Sequence, residues 1–111
     1  MNRPLLALLL LLFLGAAPRS PHWEAVRDAH LKEHPACEVC GHKKNLNVHH
    51  VIPFHIDASK ELDPDNLITL GNKCPSGNHH LLFGHLGNWK SWNVNVREDA
   101  AAWRKKISER P

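Results

Sequence analysis

His49-His50-Val51-Ile52-Pro53 is the stretch that decides the fold, because candidate metal ligands lie on both sides of it. Upstream is the knuckle motif Cys37-Glu38-Val39-Cys40-Gly41. Downstream come Asp65-Asn66-Leu67-Ile68-Thr69-Leu70, then Cys74, and then the pair His79-His80. Two cysteines separated by two residues can hold one tetrahedral metal ion, but the other ligands must come from elsewhere in the chain. The order of these residues predicts a small domain built around metal.

Hydrophobic patterns around these motifs predict short secondary-structure elements. Leu46-Asn47-Val48-His49 alternates, which indicates a strand that carries His49 and His50, and Leu67-Ile68-Thr69-Leu70 is the expected return strand. The intervening residues 54–65 are expected to form an ordered loop. An amphipathic helix is predicted over about 21–34, where the hydroxyl of Ser20 precedes Pro21.

Two further helices are predicted near the C-terminus. A short one is expected from Asn78 to Leu86, closed by Gly87, and a final one after the capping-box-like Asn95-Val96-Arg97-Glu98. Four large aromatic side chains are expected in the core, with stacking of one of them on a nucleic-acid base as the alternative. They are Phe83, Trp89, Trp92 and Trp103.

The segment from Cys37 to His85 resembles the HNH endonuclease family, through the knuckle, the histidine pair, the asparagine and the second histidine pair in that order. The resemblance implies an α+β fold: a small ββα-metal (His-Me finger) core with a zinc knuckle, flanked by N- and C-terminal helices. It also implies hydrolysis of nucleic-acid phosphodiesters with one divalent metal ion.

Roles for individual residues follow from the same resemblance. His50 would be the general base, Asn66 would hold the loop beside it, and His49 and His80 would bind the catalytic ion, commonly Mg²⁺ in the family. The structural zinc would be held by Cys37, Cys40, Cys74 and His79. Position 79 is histidine where family members usually have cysteine, and more residues separate it from Cys74 than is common in the family. The identity of the fourth zinc ligand is therefore left open.

Alternatives remain for several of these residues. His50 could be another zinc ligand, and Asp63-Pro64-Asp65-Asn66 could be only a turn. His85 is a candidate third ligand or phosphate contact, but five residues after His80 it is off the ideal face of an α-helix. Three cysteines would leave one thiol over in a disulfide framework, and the interleaved histidines favour zinc.

The first 20 residues differ in composition from the rest. Met1-Asn2-Arg3-Pro4 precedes an almost wholly apolar run over 5–14 and the small residues Gly15-Ala16-Ala17, an order typical of a secretory signal peptide. The run is well short of the ~20 residues that span a bilayer, so no stable membrane span is expected. We expect residues 1–20 to be a signal peptide or apolar leader and residues 21–111 to form one nuclease domain. A genuine signal would make the protein secreted or periplasmic; otherwise it would be cytoplasmic.

Net charge does not by itself indicate a nucleic-acid partner. The chain carries +3, and without residues 1–20, which contain Arg3 and Arg19 and no acids, the balance is +1. Local basic patches remain at Lys43-Lys44 and around Arg104-Lys105-Lys106, although the latter equally suits a solvated helix end.

The sequence therefore predicts a metal-dependent endonuclease, with DNA rather than RNA as the expected substrate, structural Zn²⁺ and a catalytic divalent ion, expected to be Mg²⁺. The alternative hypothesis is a non-catalytic zinc-knuckle module that binds nucleic acid or protein. A zinc module needs four ligands, and this chain offers twice that number of candidates, which favours a second site. An immunity or regulatory partner, strand specificity and oligomeric state are left open.

Overall fold

The computed structural model describes residues 18–111, and most of the predicted leader lies outside that range. In chain order the elements are helix α1 (Trp23–Glu33), strand β1 (Leu46–His50), strand β2 (Leu67–Gly71), a π-helical segment (His80–Gly84) and helix α2 (Val96–Ser108). Two antiparallel strands with helices on either side in sequence confirm the predicted α+β class. Within the described residues, no helix is both long and apolar enough to cross a membrane.

The two strands pair in the register that the alternating pattern requires. Leu46 lies opposite Gly71 and His50 opposite Leu67. Every residue of β2 is buried, whereas β1 buries only His49 fully. The ribbon therefore presents His49 and His50 at the end where the loop of residues 51–66 leaves the sheet.

The hydrophobic core lies directly beneath the cysteine knuckle. Its buried members come from the knuckle, β2, the segment after it and the start of α2: Cys37, Val39, Ile68, Leu70, Cys74, Val96 and Ala100. A core of this size is small for a domain of about 90 residues, and such domains usually need a metal or a disulfide to be stable. The described cysteines are all free thiols.

The tryptophans are not core residues, contrary to the sequence-based prediction. Trp89 is 55% exposed and Trp103 is 39% exposed. Aliphatic side chains and the knuckle cysteines form the buried core instead. Trp103 packs at the surface against Phe83, with ring centroids 6.0 Å apart.

The start of α2 also differs from the prediction. Asn95 is the residue before the helix, but its side chain caps nothing. The side chain of Asn93 contacts the helix start instead: it accepts a hydrogen bond from the N–H of Asn95 at 3.0 Å and donates to Asp99 at 2.7 Å. The buried amide of Asn93 thus ties the helix start to the carbonyl of Phe83, to which it also donates.

The boundary between leader and domain, predicted at residue 20, falls among residues that contact the domain. Ser20 donates its backbone N–H to the Glu61 carboxylate, and Arg19 lies beside the same group. The hydroxyl of Ser20 accepts from the N–H of His22, just ahead of α1.

Candidate functional site

The knuckle cysteines and two distant residues form one compact cluster. The ligand atoms of Cys37, Cys40, Cys74 and His79 all lie within 4.8 Å of one another. Nδ1 of His79 is 3.7 Å from the sulfur of Cys37. Three thiols and one imidazole are a donor set that suits tetrahedral zinc. The structure thus brings together all four residues that were predicted as structural ligands.

Two tight turns place these side chains. The first follows Cys37, whose carbonyl accepts from Gly41 at 2.7 Å, and Gly41 has a φ of +82° that a residue with a Cβ rarely adopts. The second turn is closed by paired backbone hydrogen bonds between Cys74 and Gly77. This turn takes up the extra residues between Cys74 and His79, which is why the unusual spacing still returns a side chain to the cluster.

Ser76 is a contributor to this cluster that sequence reasoning missed. Its hydroxyl lies 2.9 Å from Nε2 of His79, so that Nε2–H can donate to Ser76 while Nδ1 faces the thiols. Such outer hydrogen bonds fix the tautomer of a ligating histidine. Burial lowers the pKa of His79, which favours the neutral imidazole. Burial, together with the other two thiols, raises the pKa of Cys74 to about 12.

A second cluster contains three histidines and shares no residue with the first. Side-chain nitrogens of His49, His80 and His85 lie within 4.8 Å of one another. Nε2 of His80 is 3.1 Å from Nδ1 of His49. Nε2 of His49 is buried without a hydrogen-bond partner among residues 18–111. Converging imidazoles with an unsatisfied buried nitrogen are the pattern expected of a metal site.

Hydrogen bonds outside the cluster orient two of its rings. Nδ1 of His80 lies 3.0 Å from Oδ1 of Asn72, and Nδ1 of His85 lies 2.7 Å from the carbonyl of Ser91. Asn72 Oδ1 and the Ser91 carbonyl are acceptors, so Nδ1–H can donate outward in each ring and leave the lone pair of Nε2 for the cluster. The Nδ2 of Asn47 lies farther from Nδ1 of His80, at 3.3 Å. Neither Asn72 nor Ser91 belongs to a recognisable motif, and only the folded chain reveals their function.

Burial keeps two members of this cluster, His49 and His80, neutral. Burial, with contributions from the neighbouring histidines, lowers the pKa of His49 to about 3. Burial and the proximity of His85 lower the pKa of His80 to about 4. Both imidazoles are therefore uncharged near neutral pH, and only the neutral form can act as a metal ligand.

His50 lies next to this cluster in a different environment. Its Nε2 is 2.9 Å from the backbone carbonyl of Glu61, and its ring packs on the indole of Trp23 with centroids 4.4 Å apart. A carbonyl can only accept, so Nε2 carries the proton and the lone pair of the neutral ring is on Nδ1. Burial lowers the pKa of His50, although the hydrogen bond to Glu61 opposes that shift. His50 belongs to neither metal cluster.

Asn66 holds the loop that follows β1. Its Oδ1 accepts from the N–H of Ile52 at 2.8 Å, and its Nδ2 donates to the carbonyls of Ile52 and Lys60, each at 3.1 Å. Lys60 directly precedes Glu61, whose carbonyl contacts His50. The buried amide therefore fixes both the start of the loop and the segment that orients His50. Asn66 does so while forming the last residue of a short 3₁₀ turn.

A cleft of about 360 Å³ exposes His50 and the three-histidine cluster on one surface. Arg19 and Lys90 contribute basic groups to its lining, whereas the predicted patches at Lys43-Lys44 and Arg104 do not line it. Aromatic rings form much of its wall: Phe54, Trp89 and Trp92. The indole of Trp89 lies 4.9 Å from the ring of His85, centroid to centroid.

Together, the paired strands, the knuckle and the histidine cluster define a small ββα-metal domain. Residues 37–81 match the family model described as HNH endonuclease, from the first knuckle cysteine to the residue after His80. This match confirms the family predicted from the sequence over residues 37–81, and an HNH domain implies nucleic-acid binding. No curated protein and no solved structure matches the chain.

Proposed function

We propose that the protein is a metal-dependent endonuclease with His50 as the general base. It hydrolyses the phosphodiester bonds of nucleic acid, and DNA is the preferred substrate over RNA. The observation that carries the proposal is the hydrogen bond from His50 to the Glu61 carbonyl, in the cleft that also contains the three-histidine cluster. One ring nitrogen of His50 is fixed as a donor, and the other is left to accept a proton from water.

The surroundings of His50 support this assignment. A general base must be neutral and oriented, and the lowered pKa keeps the imidazole uncharged at neutral pH. The Glu61 carbonyl selects the tautomer and the Trp23 ring limits rotation. Asn66 acts as a positioning residue in this scheme, because it holds the start of the loop at Ile52 and the residue directly before Glu61.

The residues proposed to hold the catalytic ion are His49, His80 and His85. When bound, a divalent ion would neutralise phosphate charge and stabilise the leaving oxygen. The family resemblance implies Mg²⁺ as the catalytic ion. Mg²⁺ prefers oxygen ligands, however, and three imidazoles are better suited to a first-row transition ion. We therefore propose a transition ion here and structural Zn²⁺ at the knuckle.

The rival function, a non-catalytic zinc-knuckle module, requires only the four residues of the first cluster. It gives no reason for three more converging histidines or for the orientation of His50. Substrate cleavage separates the two functions directly.

The test is a plasmid-nicking assay with the purified full chain, in chelator and with added Mn²⁺, Ni²⁺ or Mg²⁺. The proposal predicts nicking that requires added metal and that is lost in His50→Ala. His22→Ala is the matched control, because His22 is exposed just before α1 and lies outside the cleft. Binding of DNA without nicking under any metal would favour the rival module, and an RNA substrate cut faster than DNA would overturn the substrate assignment.

A further inference from the structure

Glu61 is an unusually buried carboxylate. The residue is only 4% exposed, and its Oε2 has no hydrogen-bond partner among residues 18–111. Its Oε1 accepts from the N–H of Ser20 at 3.0 Å, and Nη1 of Arg19 lies 3.6 Å from Oε2. A buried carboxylate is unfavourable unless an opposite charge compensates it, and Arg19 supplies that charge.

The backbone of Glu61 is the partner of His50. Its carbonyl lies 2.9 Å from Nε2 of His50, so the residue that needs Arg19 is also the one that orients the imidazole. Without Arg19, the buried carboxylate would be left without a counter-charge. If that side chain turned toward water to recover its hydration, Oε1 would release the N–H of Ser20. The residue whose carbonyl orients His50 would then lose its tie to the segment of residues 19–23.

Arg19 is held in place from a second direction. Its guanidinium carbon lies 4.3 Å from the centroid of the Phe54 ring, a cation–π arrangement. The chain then runs through Ser20 into α1, where the indole of Trp23 packs against His50 at 4.4 Å. The segment 19–23 therefore contacts the surroundings of His50 twice, through Glu61 and through Trp23.

We propose that Arg19 is a positioning residue for His50, acting through the buried carboxylate of Glu61. The inference rests on the proposed function, in which His50 is the general base. A misplaced base slows the chemical step and leaves substrate binding unchanged. The competing role is a direct contact with a substrate phosphate, because the Arg19 side chain is 57% exposed and lines the cleft. Such a contact acts mainly on KM.

Steady-state kinetics on full-length variants separate these roles. Arg19→Ala should lower kcat by roughly tenfold with KM unchanged, and Arg19→Lys should restore most of the rate. Adding Glu61→Gln to Arg19→Ala should also restore kcat, because a neutral amide needs no counter-charge and can still accept from Ser20. Arg27→Ala is the control, since within residues 18–111 Arg27 pairs with the exposed Glu24 and Asp28 on α1 and lies outside the cleft. A rise in KM alone, or a double variant as slow as Arg19→Ala, overturns the proposal.

A second readout does not depend on activity. Long-range ¹H–¹⁵N NMR reports which nitrogen of His50 carries the proton. The wild-type chain should show the Nε2–H tautomer, and Arg19→Ala should show a mixture that returns to Nε2–H in the double variant. An unchanged His50 tautomer in Arg19→Ala overturns the positioning role, even if the wild-type chain cleaves no substrate and the proposed function itself fails.

Discussion

The imidazole rings of His80 and His85 lie 4.9 Å apart, centroid to centroid, although they are five positions apart in the chain. The segment between them, His80–Gly84, is π-helical. A π turn is closed by hydrogen bonds between residues i and i+5, so it brings position i+5 back toward position i. This wider turn allows both histidines to face His49.

We expect His85→Ala to weaken binding of the catalytic ion by at least about tenfold, because it removes one of three ligands. Calorimetric titration with Mn²⁺ or Ni²⁺ measures the change, and zinc content by mass spectrometry should stay at the wild-type value. His55→Ala provides the control, since His55 lines the same cleft but lies outside the cluster. Equal affinities for wild type and His85→Ala would remove His85 from the site.

The two clusters should respond separately to substitution. Cys37→Ser should release zinc and lower the melting temperature of the whole domain, because metal binding and folding are coupled in so small a core. His80→Ala should retain zinc and lose only the activity supported by the added ion. Mass spectrometry of the metal content distinguishes these outcomes. Equal zinc loss in both variants would mean that the two clusters form a single site.

Position 79 tests the fourth zinc ligand. His79→Cys should retain zinc and cleavage, because thiolate and imidazole both serve tetrahedral zinc. His79→Ala should lower zinc affinity and thermal stability, and Ser76→Ala should produce a smaller change in the same direction through the lost orienting hydrogen bond. Full zinc occupancy in His79→Ala together with lost activity would instead assign His79 to the catalytic ion.

Gly84 is a further test of the histidine cluster. A Cβ at this position would lie 3.0 Å from the His49 ring, which is itself buried, so the ring would have to shift. Gly84→Ala should therefore lower the cleavage rate by roughly tenfold through a displaced ligand, with zinc content unchanged. Gly87→Ala is the matched control: its φ of +80° makes the change destabilising, but its Cβ would meet no atom within 4 Å. Equal rate losses in both variants would indicate general destabilisation of the segment.

The strands and the candidate ligand residues could be predicted from the sequence because both predictions depend on local order. Alternation over Leu46 to His49 determines which side chains share a face, and the second strand follows from the apolar run at Leu67. The cysteine spacing identifies the knuckle without a structure. The sequence left the identity of the fourth zinc ligand open, because only the turn closed at Gly77 shows how His79 returns to the cluster.

The remaining features depend on tertiary geometry that no short pattern encodes. α-Helical spacing places His85 off the face of His80, whereas the π turn brings His85 into the cluster. Arg19 and Glu61 are distant in sequence and meet only when the loop of residues 51–66 folds back. Exposure of Trp89 could not be foreseen either, because it depends on how much of the core the smaller side chains fill.

The most direct test of the central claim is the single-turnover cleavage rate of His50→Ala, measured together with its zinc content. His50 contacts the Glu61 carbonyl and the Trp23 ring and belongs to neither cluster. We predict a rate lower by about 10²–10⁴, the usual contribution of a general base, with wild-type zinc content and an intact fold. Loss of zinc with unfolding would make His50 a structural ligand, and an unchanged rate would exclude it as the base.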